Sequence, residues 1–116
     1  MNGAIATVRR FTGRRVLIVG DALLDAFLHG HATRICKEAP VPVVQAAYKT
    51  VAPGGAANTA GNVASLGGQA CFLSVVGTDE ASETLRRELR ARGVDDGELI
   101  VDPERTTVHK LRIVAD

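Results

Sequence analysis

The 116-residue sequence has no tryptophan, one tyrosine and three phenylalanines, so aromatics make up only 3% of it. Its core must therefore come from Val, Leu, Ile and Ala, and no aromatic series is available to stack nucleic-acid bases. An excess of one charge is lacking as well. Lys and Arg number 14 against 13 Asp and Glu, a formal net charge of +1. Without a basic stripe, that balance excludes the usual electrostatic footprint of a nucleic-acid partner. The two cysteines, Cys36 and Cys71, lie far apart and lack CxxC spacing. No apolar run approaches the roughly 20 residues that span a bilayer. Residues 1–15 mix Arg9, Arg10, Arg14 and Arg15 with short apolar runs, which does not make a signal peptide. These absences describe a reduced, cytoplasmic protein without a membrane or nucleic-acid partner.

What is present is an ordinary globular composition, 46% hydrophobic and 23% charged, in a length that suits one domain. Ile5, Val8 and Phe11 fall at helical spacing over 4–12. Val16-Leu17-Ile18-Val19, bounded by Arg15 and Gly20, reads as a strand buried on both faces, as in a parallel sheet. Pro40 and Pro42 exclude helix interior and point to an edge strand over 42–50, paired with one near 27–32. Together, 27–52 would form a small flap between the first strand and the first core helix.

Pro53-Gly54-Gly55 breaks the chain, and Ala57, Ala60, Val63, Ala64 and Leu66 then share a helical face that Gly67-Gly68 ends. A buried strand over 70–76 follows, with Cys71 read as core. The helix 79–92 has Thr78 or Asp79 as N-cap and Glu80 and Glu83 in its first turns. Arg86, Arg87, Arg90 and Arg92 at its end read as dipole compensation on a solvated face. Strands near 98–101 and over 106–114 complete an α/β domain with a largely parallel sheet. The chain ends directly after a strand.

Three segments can carry chemistry. Gly54-Gly55 before a helix lets backbone approach a ligand closely, beside free N–H donors. Asn58, in the first turn, both donates and accepts, as a sugar hydroxyl requires. A plain glycine turn is the alternative. Neither GxGxxG after the first strand nor GxxxxGK[ST] occurs, which excludes both nucleotide fingerprints. Asp21 and Asp25 follow the first strand, at the carboxyl end where open α/β sheets bind ligands. Lys110 and Arg112, two apart on a strand, share one face and supply cations for an anionic group. A solvated charged edge remains the other reading of that pair. His29 and His31 also share a strand face, but no third ligand lies nearby, so no metal site is assigned.

The run Gly54-Gly55-Ala56-Ala57-Asn58-Thr59-Ala60, with Gly67 and Gly77 beyond it, resembles the amino-terminal signature of the ribokinase-like PfkB carbohydrate kinases. Val16 to Asp25 is similar to that family's first strand and the loop after it. The resemblance makes Asp25 a sugar-hydroxyl ligand, with Gly54, Gly55 and Asn58 as further contacts and Asp21 as a second carboxylate. Thr33-Arg34-Ile35 and Glu38-Ala39-Pro40-Val41-Pro42-Val43 resemble a segment of the D-glycero-D-manno-heptose 7-phosphate kinases. Those include the kinase domain of the bifunctional heptose kinase/adenylyltransferases. Cys36-Lys37 stands where that group usually has Ser-Pro, and Leu24 where it has Met.

What this resemblance implies is a ribokinase-like three-layer α/β fold with a mostly parallel sheet and a β flap, present as its N-terminal part. It implies phosphorylation of O1 of the heptose 7-phosphate, a phosphorylated sugar as ligand, and ATP with Mg2+ as cofactors. Arg34, Lys110 and Arg112 become candidate phosphate contacts. Flap-to-flap pairing would give a homodimer. The family's second signature, a Gly-Ala-Gly-Asp type run carrying the catalytic base, has no match in 1–116, so no catalytic residue is named. A kinase of another sugar or nucleoside, or a non-catalytic sugar-binding fragment, are the alternatives.

Overall fold

The computed structural model describes residues 3–116. After a short helix α1 (Gly3–Arg9), strand β1 (Arg15–Val19) leads into two long strands, β2 (Ala22–Ile35) and β3 (Pro42–Gly55). Helix α2 (Ala56–Ser65), strand β4 (Gln69–Val76), helix α3 (Glu80–Ala91) and strands β5 (Leu99–Val101) and β6 (Val108–Ala115) complete the order. Two sheets result. In the first, β1, β4 and β5 run parallel. In the second, β2 lies between antiparallel β3 and parallel β6.

The flap is longer than its sequence suggests. Asp21 is the only residue between β1 and β2 apart from Gly20, so the stretch read as a loop through Asp25 is already strand. Once β2 begins, every second residue (Ala22, Leu24, Ala26) is buried, and that alternation carries the strand past the glycine break. Among the described residues β3 is an edge strand, the place in a sheet where prolines such as Pro42 and Pro53 are tolerated. The last strand differs most from expectation. Rather than extending the main parallel sheet, β6 joins the flap sheet beside β2.

One core serves both sheets. Ile18, Ala70, Phe72, Val76 and Leu99 of the first meet Ala57, Ala60, Leu85 and Leu89 of the helices and Leu24 of the second. Ala57 and Ala60 are fully buried, and their small side chains let α2 lie close to β1 and β4. Among the described residues, the other face of the first sheet carries no helix. Leu17 and Val19 are 57% and 68% exposed there, so β1 is covered on one face rather than two. Cys71 lines a hollow on that same bare face with Leu17, Leu73 and Glu98, and so is not a core residue. The described residues thus form two layers of the expected three. The radius of gyration, 18.3 Å, exceeds the roughly 13 Å of a closed domain of this length because the flap projects.

α3 begins as predicted. Asp79 caps it by accepting from the Ser82 N–H at 2.9 Å, and its Oδ2 accepts from the Thr107 N–H at 2.8 Å. Burial works against the Asp79 charge, but hydrogen bonds from Thr107 and Ser82 outweigh it and hold the carboxyl below its ordinary range. This one side chain therefore ties the start of α3 to the start of β6.

The arginines at the other end of α3 do more than offset its dipole. Arg86 Nη1 donates to Asp96 Oδ2 at 2.9 Å, and Arg90 Nε donates to Oδ1 at 2.9 Å. Arg86 also donates to the carbonyl of Leu99 at 3.2 Å, which fixes β5 against the helix. Asp96 is only 7% exposed. Burial disfavours its charge, yet the bonds and charges of Arg90 and Arg86 prevail and depress its pKa. With a depressed folded-state pKa, the stabilisation is complete above the unfolded carboxylate value of about 3.9 and is lost as pH falls through the folded value. Asp96→Asn should cost about 2–3 kcal/mol at pH 7, because it removes the carboxylate charge that Arg86 and Arg90 share. The variant should also lose less stability than the parent between about pH 4 and pH 2. Urea unfolding at both pH values measures this, and equal stability at pH 7 would disprove the role.

Candidate functional site

The open face of the second sheet is laid out in rows by strand register. Leu23 stands between Gly54 and Val108, Asp25 between Ala52 and Lys110, and Phe27 between Thr50 and Arg112. The opposite face, with Leu24 and Val51, turns toward Ala81 and Thr84 of α3. The pleat of β2 therefore does the sorting: even-numbered residues make core, and odd-numbered ones make the candidate site.

At the foot of these rows lies a cleft of about 280 Å³ lined by Gly20, Asp21, Ser74, Arg105 and Val108 among others. It sits at the carboxyl ends of β1 and β4, the place where α/β sheets bind ligands. Ser74 is a buried polar residue in an otherwise apolar strand, and its Oγ accepts the Ala22 N–H at 2.8 Å. That bond turns the chain from β1 into β2 and thereby sets the register that places Asp25. A lone serine in the apolar run 70–76 was the available signal, and sequence reasoning passed over it.

Asp25 is the centre of the open face. Its Oδ1 accepts from Arg112 Nη1 at 2.8 Å, with the two side chains 22% and 41% exposed. The Arg112 guanidinium also lies 5.0 Å from the centroid of the Phe27 ring. On its other side the carboxylate abuts Gly54, where a Cβ would collide with Oδ2. Gly55 has φ +57° and caps the start of α2, while the Ala56 N–H donates to the Asp21 carbonyl at 3.3 Å. The two glycines thus have separate duties. Gly54 makes room for a carboxylate, and Gly55 turns the chain into a helix through a backbone conformation that a side chain would strain.

The remaining candidates scatter around this centre. Lys110 is exposed and directly beside Asp25 in register, yet it makes no ion pair among the described residues. Asp21 lines the cleft at the foot of the rows. Asn58, exposed on α2, lines a different hollow with Pro53, Gly61 and Arg92. Arg34 lies at the far end of β2, opposite Val43, about 30 Å along the strand from Asp25. The structure does not bring Arg34 to the carboxylate. His29 stacks on Tyr48 with ring centroids 4.4 Å apart, and His31 pairs with Asp116 at 2.8 Å.

The same strands and helices occur in known sugar and nucleoside kinases. Ribokinase from Cryptococcus neoformans var. grubii serotype A, solved in complex with ADP, matches with a TM-score of 0.63 and 26% identity, over 89% of this chain and 31% of that one. Aminoimidazole riboside kinase from Salmonella enterica, complexed with aminoimidazole riboside and an ATP analogue, matches with a TM-score of 0.59 and 27% identity, over 84% and 28%. Fold and site together define part of a ribokinase-like α/β domain. Residues 14–116 match the pfkB family carbohydrate kinases, and the chain belongs to that family. The bifunctional protein HldE of Caulobacter vibrioides is 43% identical over 116 residues, which are 99% of this chain and 24% of that protein. Its counterpart in Pseudomonas aeruginosa (strain LESB58) is 47% identical over 106 residues, 91% and 22%. The chain thus spans roughly a quarter of the length of these relatives.

Two substitutions probe the glycine pair. Gly55→Ala should lose about 1–3 kcal/mol of stability from backbone strain alone. Gly54→Ala should push Asp25 out of reach of Arg112, which a crystal structure of the variant would show. An Asp25–Arg112 contact surviving at its present length in Gly54→Ala would mean that the glycine is not what positions the carboxylate.

Proposed function

We propose that this chain forms the sugar-binding part of an ATP-dependent carbohydrate kinase, whose acceptor lies over the open face of β2, β3 and β6. The observation that carries this reading is the Asp25 carboxylate, held on an open strand face between Arg112 and Gly54 with uncommitted Lys110 beside it. A fixed carboxylate accepts hydrogen bonds from neighbouring sugar hydroxyls, and a cation nearby suits a sugar that carries phosphate. Gly55, Asn58 and Asp21 are further contacts in this reading, reached once the sugar settles between the flap and the start of α2.

Within the family, the acceptor we assign is D-glycero-D-manno-heptose 7-phosphate, phosphorylated on O1 to a bisphosphate on the route to ADP-activated heptose, in the cytoplasm. The similarity to proteins named HldE supports that choice. ATP and Mg2+ supply the phosphoryl group and its charge neutralisation, and no residue of this chain is assigned to hold them or to act as base. The chain's share of catalysis is placement of the acceptor, which in phosphoryl transfer is a large share.

In the full-length protein, Asp25→Asn should lower kcat/KM for the phosphosugar by about a hundredfold, a loss of about 2.7 kcal/mol. Steady-state assays against heptose 7-phosphate, ribose, fructose 6-phosphate and adenosine would rank the acceptors. Activity undiminished in Asp25→Asn would remove the acceptor from this face, and preference for ribose or adenosine would overturn the heptose assignment.

Among the described residues the outer edge of β3 pairs with no strand, and Tyr48 on it and Val41 just before it are exposed, which supports a homodimer formed flap to flap. A proline at an edge position of β3, such as Ala46→Pro, should then shift the protein toward monomer in light scattering. A protein that is already monomeric before substitution would rule the pairing out.

A further inference from the structure

We propose that Arg112 is a positioning residue for Asp25 and that the charge recognising the sugar's phosphate comes from Lys110. This rests on the reading of Asp25 as a sugar ligand. The two cations lie on the same strand face but in different circumstances. Arg112 belongs by register to the Phe27 row, one pleat beyond Asp25, and reaches back diagonally to donate to Oδ1 at 2.8 Å. Its guanidinium at the same time rests on the Phe27 ring at 5.0 Å. A planar cation bonded at one edge and stacked on a ring is held in orientation as well as in place. To reach a phosphate it would have to surrender both contacts.

Lys110 is free of such commitments. It pairs in register with Asp25 itself, is exposed, and has no ion-pair partner among the described residues. Its ammonium is a compact charge on a flexible stem, suited to meeting a phosphate whose position varies with the sugar chain. Asp25, for its part, is confined on both sides. Arg112 holds Oδ1, and the space that Gly54 leaves open receives Oδ2. With Arg112 removed, the carboxylate gains rotational freedom and loses the orientation in which it meets hydroxyl groups. Every sugar suffers equally from that loss, phosphorylated or not.

The two roles predict different selectivity. Titration calorimetry on the full-length protein would compare heptose 7-phosphate with the same heptose lacking phosphate. Arg112→Gln should weaken both by the same factor, about tenfold, and Arg112→Lys should recover part of the loss for both. Lys110→Gln should weaken only the phosphorylated sugar. In an Asp25→Asn background, Arg112→Gln should have no further effect, a non-additivity that a merely structural role would not produce. The pair is partly exposed, on the Arg112 side above all, so Arg112→Gln should melt close to the parent. Loss confined to the phosphorylated sugar in Arg112→Gln, with Asp25→Asn weakening both, would overturn the positioning role alone. No loss for either sugar in Arg112→Gln would overturn it as well. Asp25→Asn binding both sugars like the parent would overturn the sugar-site reading and the role of Arg112 with it.

Discussion

The chain leaves the first sheet at Gly20 and comes back to it at Ala56, and the two points must coincide for anything else to work. Between them run two 14-residue strands that are antiparallel from Ala22–Gly55 at the base to Ile35–Pro42 at the tip. The junction is closed by short bonds: Ser74 Oγ takes the Ala22 N–H, and the Asp21 carbonyl takes the Ala56 N–H. Up to His29, before the register shifts at His29/Gly30 and Ala32/Arg34, side chains alternate, so this closure decides which residues at the base of β2 face the helices and which face the ligand side. A slip of one residue would bury Asp25 and expose Leu24. The register of the flap is therefore also the register of the site.

Much of this was legible in the residues, and the limits have physical causes. β1, α2, β4 and α3 follow from short apolar runs, a glycine pair and a capping aspartate, all of which are local signals. The flap is legible from its prolines and valines, but its base reads as a loop, because Gly20-Asp21 is the kind of pair that normally ends a strand. Here it only redirects one. β6 was legible as a strand from its alternation, while its partner was not, since alternation says nothing about which sheet a strand joins. Arg86 and Arg90 read as dipole compensation from sequence because that rule is local, whereas their bond to Asp96 depends on how the following loop folds back.

The candidate site divides in the same way. Gly54 lies against the Asp25 carboxylate and Gly55 beside the Asp21 carbonyl, so one glycine faces the carboxylate while the other bends the chain. Arg34 sat in a persuasive motif and is nonetheless at the flap tip. Motif spacing along a strand counts residues, and each residue moves the next about 3.3 Å further from the site. The Phe27 ring beneath Arg112 left no motif trace, because nothing in a sequence marks a diagonal contact between two strands whose parallel pairing is itself non-local.

The uncovered face of the first sheet has a consequence for thiol chemistry. Among the described residues, Cys71 lies on it, part-exposed beside Leu17 and Leu73. Burial among these neighbours raises its pKa, and the carboxylates of Asp95 and Glu98 raise it further. Only the thiolate is nucleophilic, so a raised pKa lowers the reactive fraction of this thiol at neutral pH. Its apolar surroundings and its acidic neighbours act in the same direction, both favouring the protonated sulfur.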